Sequence, residues 1–338
     1  MIRILGIETS CDETAVAIIS NAAIEHRILS NVVTSHLEPK DYGGVVPEIA
    51  ARSHLKHLKQ CYLKAIEDAT ISPHDIDTIA VTSGPGLAGG LLVGMNFAKG
   101  LAVALHKPIL AINHLEAHAL TARLTHDVVF PYLLLLASGG HTQFILVKAV
   151  GSYSLLGDTL DDSAGECFDK CAKMMDLPYP GGPQIEALAT QGNEDAFSLP
   201  IPLLNQPGCN FSFSGLKTAF KEMYTTHQNQ FSKSDFAACL QKTITKHLLH
   251  KLNKALKMID CPLSSIVFSG GVAANQYIRS VLDNFAIQAG LKAIYPPIHL
   301  CTDNAAMIAW VGIERFSRHK KNHLDFKCQP RWPLNELN

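Results

Sequence analysis

Several features that narrow a protein's function are missing from this sequence. Lysine and arginine (29) nearly balance aspartate and glutamate (30), and the formal net charge is −1. A chain without excess positive charge has no global field that attracts nucleic acid, so any RNA contact has to come from local basic stretches. The nine cysteines include no C-x-x-C pair, which excludes a zinc knuckle and a thioredoxin-like redox site.

The sequence also lacks signals for export or membrane insertion. The cysteines are odd in number and irregularly spaced, so we expect reduced, mostly buried thiols. No apolar run reaches the roughly 18 residues that a bilayer span needs. The segment MIRILGIETSCDE carries acidic residues where the apolar core of a signal peptide would continue. We therefore expect a soluble, cytoplasmic protein with no membrane contact.

What is present indicates an α/β protein with two related halves. The chain of 338 residues is too long for one ordinary core, and 47% hydrophobic residues indicate a well-buried protein. Two apolar segments that turn back through small residues each predict a β-hairpin, and a third continues into a helix. They are IRILGIETSCDETAVAII (2–19), PYLLLLASGGHTQFILV (131–147) and SSIVFSGGVAANQYIR (264–279).

Helical and strand patterns alternate between the two hairpins, which predicts mixed sheets. Helical periodicity covers residues 47–69 and 90–105, with a strand at 77–84. Residues 187–257 are predicted to be mainly helical around an irregular stretch at 199–215. In 90–105 the small residues Gly90, Gly94 and Ala98 favour either core packing or a close subunit interface. A final helix is predicted after CTDN, capped by Asp303 or Thr302.

Turns of small polar residues or glycine follow three of the predicted strands, at residues 8–12, 138–141 and 269–274. Such turns let backbone N–H groups approach a phosphate, although a single one usually only ends a strand. Three of them in two similar halves predict a phosphate-binding site. In PYPGGPQIEALA (178–189), Gly182 would let a ribose or base come close to the backbone.

The stretch NHLEAHAL (113–120) places two histidines four residues apart. On a helix His114 and His118 share one face, which suits zinc or iron, although sixteen histidines make chance pairs common. A metal site needs a third ligand, and Asp303 is a candidate that the sequence alone cannot place nearby. Glu116 lies about 160–200° around the helix from each histidine. It therefore cannot serve as the general base of an H-E-x-x-H peptidase, and we expect the metal to polarise or clamp a substrate.

These residues together resemble the bacterial TsaD family. The resemblance runs from residue 4 to about 312 through GIETSCDETAVA, GGVVPEIAARSH, NHLEAHAL, LLASGGHTQ, LDDSAGECFDKCAKMMDLPYPGGP, NFSFSGLKT, SGGVAAN and CTDNAAMIA. It implies transfer of threonylcarbamoyl from L-threonylcarbamoyl-AMP to N6 of adenosine 37, with release of AMP, in tRNAs that read codons starting with A. An older description of the family as a sialoglycoprotein endopeptidase conflicts with the position of Glu116.

The resemblance also implies an actin-like, sugar-kinase-like (ASKHA) fold of two duplicated lobes with mixed sheets and a nucleotide cleft between them. On this basis we expect an N-terminal lobe of residues 1–112, completed by a C-terminal helix at 303–330. Residues 113–302 are expected to form the C-terminal lobe, with a helical insertion at about 187–257.

The same resemblance implies a set of site residues. One divalent iron or zinc ion per subunit would be held by His114, His118 and Asp303. The substrate nucleotide would bind in the cleft, which ATP or AMP could also occupy. Its phosphate and acyl group would contact the loop Leu136, Ala137, Ser138, Gly139 and Gly140, and its ribose would contact Asp169 and Gly182. Glu186, where many relatives carry aspartate, would contact the nucleoside, and Asn275 would lie at the adenine end. Ser163 replaces a more usual alanine, and we expect its hydroxyl to be tolerated.

The chemistry requires a proton acceptor, because the N6 amine loses a proton as it is acylated. Asp12 and Glu13 in the first hairpin turn and His141 beside the second are candidates, with a solvated turn as the alternative for the two acids. Backbone N–H groups at 138–140 would stabilise charge on the reacting oxygen.

Two basic stretches are candidates for tRNA contact, at residues 242–257 and 315–323. A solvated amphipathic helix explains the first equally well. The resemblance implies TsaB and TsaE as partners and TsaC, or its larger form, as the source of the donor. Two alternatives remain: a small-molecule phosphotransferase of the same fold, which would need no dihistidine, and a non-catalytic scaffold, which should have lost the His114, His118 and Asp303 set.

Overall fold

A computed structural model of the protein describes residues 1–35, 46–316 and 322–337. The chain forms two compact units. Unit 1 consists of Met1–Asp127, Val150–Ser152 and Thr302–Asn338, and unit 2 of Val128–Ala149 and Tyr153–Cys301.

Ten strands and nine helices are present in the described residues. The strands are β1 (Arg3–Glu8), β2 (Glu13–Ser20), β3 (Ile28–Ser35), β4 (Thr78–Gly84), β5 (Ile109–Asn113), β6 (Tyr132–Ala137), β7 (Thr142–Ala149), β8 (Ser152–Asp158), β9 (Ser265–Ser269) and β10 (Lys292–Ile294). The helices are α1 (Pro47–Ala69), α2 (Ala88–Leu105), α3 (His114–Thr125), α4 (Ala164–Met174), α5 (Gly181–Ala189), α6 (Ser214–His227), α7 (Lys233–Lys257), α8 (Gln276–Gln288) and α9 (Ala305–Phe316).

Each unit contains one five-stranded mixed sheet, and the two sheets have the same connectivity. The order is β3-β2-β1-β4-β5 in unit 1 and β10-β9-β6-β7-β8 in unit 2. In each sheet the first strand of the hairpin is central, antiparallel to the second and parallel to the strand that follows a helix. The prediction of two related halves that each begin with a hairpin is confirmed. β6 (YLLLLA) and the middle of β1 (ILGI) are continuous apolar runs because both faces of these strands are buried.

The boundary between the units differs from the expected lobes. Residues 113–127 were assigned to the C-terminal lobe, but the structure places them in unit 1. The physical reason is local continuity: Asn113 ends β5 and also caps α3, whose side chains then pack on α9. The segment at 187–257 is also more than an insertion, since Phe220 of α6 and Phe236 of α7 share the core of unit 2 with its sheet.

Helix α2 shows how its small residues pack, and it is more apolar than the sequence analysis indicated. Its small residues Gly90 and Gly94 face Thr9, where an added Cβ would lie 2.3 and 2.2 Å from Thr9 atoms, so this stripe packs in the core. Among the described residues α2 is also the one helix long and apolar enough to cross a membrane, although Asn96 and Lys99 interrupt its apolar sequence. A single such helix is weak evidence for a membrane, because buried helices of protein cores can be equally long and apolar.

The basic face predicted on α7 is largely occupied within the protein. His250 donates to the carbonyl of Leu204 at 2.8 Å, and Lys254 donates to that of Gln206 at 2.7 Å. Lys242 forms ion pairs with two acidic residues of the same unit. Much of this face therefore fixes the loop before α6 instead of remaining available for phosphate. The other basic stretch, 315–323, falls partly outside the described residues. All nine cysteines are free and six are buried, as predicted.

Candidate functional site

The two histidines are positioned by an uninterrupted passage from strand β5 into helix α3. Asn113 accepts hydrogen bonds from the backbone N–H groups of Leu115 (2.8 Å) and Glu116 (3.2 Å), which is the usual arrangement of a helix N-cap. His114 is therefore the first residue of the helix and His118 follows about one turn later. Both side chains are buried and lie on the same face of α3.

Asp303 completes a cluster of three ligand atoms. Its Oδ1 lies 3.0 Å from Nε2 of His118 and 3.4 Å from Nε2 of His114, and the two Nε2 atoms are 3.2 Å apart. Two ligands bound 2.0–2.2 Å from one ion at angles of 90–110° are separated by about 2.8–3.6 Å. The three atoms are therefore separated as neighbouring ligands of one metal ion would be, and this donor set fits a transition-metal ion.

Asp303 is available because a neighbouring residue caps α9. The predicted caps were Asp303 and Thr302, but Asn304 Oδ1 accepts from the N–H of Met307 at 3.0 Å. Helix α9 also starts directly against β1, where a Cβ on Gly6 would meet the carbonyl oxygen of Ala305 at 2.2 Å. Glycine at this position lets the helix start lie on the strand, and Asp303 thereby reaches the end of β1.

Glu8, at that end of β1, contacts the cluster and was not identified from the sequence. Its Oε2 lies 2.9 Å from Nδ1 of His114 and accepts from the Thr82 hydroxyl at 2.6 Å. Its Oε1 accepts from the N–H of Ser10 at 2.5 Å. A carboxylate that accepts the Nδ1 proton leaves the Nε2 lone pair directed at the cluster. The signal that could have revealed Glu8 is an acidic residue at the end of an otherwise apolar buried strand.

The electrostatics of the cluster favour positive charge. Burial by itself would lower the pKa of His114, but the carboxylates of Asp303 and Glu8 outweigh it and raise that pKa well above its usual value. Burial would raise the pKa of Asp303, yet His114 and His118 hold it well below its usual value. Burial and the charges of Asp303 and Asp12 raise the pKa of Glu13 to about 9. A bound cation would satisfy the same carboxylates.

Glu116 faces away from the cluster, in agreement with the helix geometry. It is buried and forms an ion pair of 2.6 Å with Arg315 of α9. The arrangement of an H-E-x-x-H peptidase, in which the glutamate reaches a metal-bound water, is therefore absent from this helix.

Unit 2 brings together the residues predicted to contact phosphate and acyl groups. Leu136 and Ala137 end β6, and Ser138, Gly139 and Gly140 form the turn into β7. The turn is held by its own contacts, since the N–H of Ser138 donates to the carbonyl of His141 at 2.7 Å. Ser163, the cap of α4, donates to the carbonyl of Gly139 at 2.7 Å. An added Cβ on Gly139 or Gly140 would meet no described atom within 4 Å.

The predicted ribose and adenine positions lie around the starts of α5 and α8, also in unit 2. Asp169 accepts from the N–H of Gly181 at 2.7 Å, next to Gly182. Glu186 accepts from the N–H of Gln276 at 2.6 Å, which joins α5 to the start of α8. Asn275 caps α8 and donates to the side chain of Gln241, so both ends of its amide are engaged within the protein.

The three candidate proton acceptors fall in different units. Asp12 precedes β2 and Glu13 begins it in unit 1, close enough to the cluster for the charge of Asp303 to raise the pKa of Glu13. His141 follows the glycine turn of unit 2, and its backbone N–H donates to the hydroxyl of Ser138 at 3.1 Å.

Comparisons with known proteins identify the family of this chain. The family model described as "TsaD: tRNA N6-adenosine threonylcarbamoyltransferase" matches residues 27–310. A protein of Brucella suis named tRNA N6-adenosine threonylcarbamoyltransferase is 50% identical over 346 residues, which cover 99% of this chain and 96% of that protein.

Solved structures with low sequence identity show the fold. An activator of 2-hydroxyisocaproyl-CoA dehydratase from Clostridium difficile superposes with a TM-score of 0.54 at 14% identity, covering 95% of this chain and 99% of that one. HypF of T. kodakarensis gives a TM-score of 0.61 at 12% identity over 94% of this chain and 48% of that one. The predicted ASKHA-type α/β fold with two mixed sheets is confirmed.

Proposed function

This chain belongs to the TsaD family and catalyses threonylcarbamoyl transfer to N6 of adenosine 37 in tRNA, and we propose that the His114, His118 and Asp303 cluster is the metal centre of that reaction. The observation that supports this most directly is the convergence of two imidazole Nε2 atoms and one carboxylate oxygen within 3.0–3.4 Å of one another. Two nitrogen donors and one carboxylate oxygen suit iron or zinc.

The reaction joins a weak nucleophile to an activated acyl group. N6 of adenosine attacks the carbamoyl carbon of L-threonylcarbamoyl-AMP, a C–N bond forms, the bond from that carbon to the phosphate oxygen breaks, and AMP leaves with the electron pair. The N6 lone pair is delocalised into the ring, so the protein has to hold both partners in attack geometry.

The residues of unit 1 would divide this work between binding and orientation. When bound, the metal ion supplies Lewis-acid polarisation of the phosphate or acyl oxygens. His114 and His118 would bind it through Nε2 and Asp303 through Oδ1. With the ion bound, Glu8 would accept the Nδ1 proton of His114, which leaves Nε2 to bind the metal.

The residues of unit 2 would hold the nucleotide. We propose that Ser138, Gly139 and Gly140 direct backbone N–H groups at the phosphate and acyl oxygens, with Leu136 and Ala137 fixing the strand before them. Asp169 and Gly182 would contact the ribose, and Glu186 and Asn275 the nucleoside.

The proton from N6 requires an acceptor, for which Asp12, Glu13 and His141 remain the candidates. A pKa of about 9 keeps Glu13 protonated at neutral pH in the metal-free site, where it would donate a proton instead of accepting one. At His141, the candidate in unit 2, a neutral imidazole would accept the proton.

We further propose that the chain works in the cytoplasm with TsaB and TsaE, and that TsaC or its larger form supplies the donor. A net charge of −1 and an internally occupied basic face on α7 support a need for partners in tRNA binding.

The test is a matched pair of histidine variants in the complete assembly. The chain, its partners, the donor-forming enzyme, threonine, bicarbonate, ATP and unmodified tRNA are combined, and modified adenosine is measured by nucleoside mass spectrometry. We expect His114→Ala to lose both metal and transfer while its circular dichroism stays unchanged. His74→Ala, on the exposed turn Pro73–Asp75, should keep both. Unchanged metal content in His114→Ala, or magnesium as the only metal in the wild type, would remove the proposed centre.

A further inference from the structure

The glutamate between the two histidines is held in an ion pair that the reaction as described does not use. Glu116 is fully buried, and its Oε2 lies 2.6 Å from the guanidinium of Arg315, whose side chain is 11% exposed. Glu116 belongs to α3, the helix that carries both histidines, and Arg315 belongs to α9, the helix that follows Asp303. The pair therefore joins the helix that carries two of the metal ligands to the helix that starts just after the third.

A second ion pair joins the same helices, but here α3 supplies the positive residue and α9 the negative one. Arg123 of α3 lies 2.7 Å from Glu314 of α9. Glu116 and Arg123 are seven residues apart and share a face of α3, while Glu314 and Arg315 are consecutive on α9. If α3 moved along α9 so that either residue exchanged partners, like charges would meet at a buried site. The two pairs therefore define one register of α3 on α9.

The position of the Glu116–Arg315 pair allows it to limit the rotation of α3 about its own axis. Glu116 projects about 160–200° from the two histidines. Asp303, just before α9, therefore contacts α3 on one side, and Arg315 of α9 contacts it on the other. Ligand atoms lie roughly 5–6 Å from the helix axis, and a rotation of about 10° would move them by about 1 Å. Metal ligation tolerates distance errors of only about 0.2 Å. A small rotation of α3 would therefore be enough to spoil the site.

We propose that Glu116 and Arg315 form a positioning pair, which sets the rotation of α3 so that His114 and His118 meet Asp303 around one ion. This inference rests on the metal centre proposed above. It assigns the glutamate of NHLEAHAL a role in building the site and leaves it no contact with substrate.

The experiment measures Co²⁺ binding in the full chain without requiring activity. Purified metal-free wild type, Glu116→Gln, Arg315→Gln and the double variant are titrated with Co²⁺, and the visible absorption of the bound ion reports affinity and ligand geometry. Apo-protein unfolding is followed in parallel by circular dichroism. We expect each single variant to bind Co²⁺ at least about tenfold more weakly and with an altered spectrum, because the ligand displacement exceeds the distance error that metal ligation tolerates.

The double variant and a control pair separate positioning from general stability. Removing both charges leaves no unpaired buried ion, so the double variant should lose less affinity than the product of the two single losses. The control is Lys64→Gln with Asp68→Asn, an exposed pair on α1 in the same unit, which should bind Co²⁺ like the wild type.

The outcomes distinguish this inference from the proposed centre. If the wild type does not bind Co²⁺ or Zn²⁺, the metal centre itself is wrong. If the wild type binds and the single variants bind equally well with the same spectrum, even with reduced thermal stability, the pair is only structural and the positioning role is refuted.

Discussion

Replacing Glu8 with glutamine tests how the protein prepares His114 for a metal. In the wild type, Oε1 of Glu8 accepts the N–H of Ser10, and Oε2 faces Nδ1 of His114 and the hydroxyl of Thr82. The N–H of Ser10 requires an acceptor, so the glutamine oxygen should take the Oε1 position. The glutamine NH₂ then faces Nδ1 of His114, and the Thr82 hydroxyl can rotate to accept from it.

That orientation would reverse the tautomer of His114. An NH₂ group beside Nδ1 donates to it, which moves the imidazole proton to Nε2, the atom that should bind the metal. To bind the metal through Nε2, His114 would have to carry its proton on Nδ1, where this N–H would face the glutamine NH₂, a second donor, at a fully buried position. Loss of such outer-sphere partners costs 10- to 100-fold in metal affinity, or about 1.4–2.7 kcal/mol.

The assay is competitive Zn²⁺ titration of metal-free protein with a chromophoric chelator, together with urea unfolding. Thr82→Val is the matched comparison, because it removes one hydrogen bond to Glu8 but keeps the carboxylate at Nδ1. We expect it to weaken Zn²⁺ binding less than tenfold. If Glu8→Gln binds Zn²⁺ as tightly as the wild type while remaining folded, the tautomer argument is refuted.

Two further predictions concern unit 2. Burial, with Lys251 and His250 nearby, lowers the pKa of His247 to about 4. The unfolded chain, in which the pKa is about 6.5, therefore takes up a proton first, and the free energy of unfolding falls as the pH drops from above 6.5 towards 4. We expect that free energy to be lower by about 2 kcal/mol at pH 5. In urea unfolding at pH 7.5 and 5, His247→Phe should lack this part of the pH dependence, and an identical dependence in both proteins would contradict it. Ser163→Ala removes the cap of α4 and the hydrogen bond to Gly139, so it should cost about 1–2 kcal/mol of local stability, seen as faster amide hydrogen exchange at the start of α4; unchanged exchange there would show that the hydroxyl is dispensable.

Local patterns predicted much of the fold because they report interactions between near neighbours in sequence. The predicted helix at 47–69 coincides with α1, and the strand predicted at 77–84 nearly coincides with β4. Both hairpins were found from apolar runs interrupted by small turn residues. Predictions were wrong where they depended on contacts with residues distant in sequence. Asn304, and not Asp303 or Thr302, caps α9, and α3 belongs to unit 1 because it packs on α9.

The basic face of α7 shows the same limit at the surface. Charge spacing identified a row of lysine and histidine side chains, but periodicity cannot show whether such a row faces solvent. The carbonyls of Leu204 and Gln206, more than forty residues earlier in the chain, accept from His250 and Lys254. That contact exists only because the loop before α6 folds back along the helix.

The sequence by itself determined that His114 and His118 share a helix face and that Glu116 does not, because a spacing of four residues fixes direction on any α-helix. Only the tertiary structure decided what those side chains meet. Asp303 lies 185 residues beyond His118, Glu8 lies 106 residues before His114, and Arg315 reaches Glu116 from another helix. Such contacts depend on how β1, α3 and α9 pack, which local spacing does not encode.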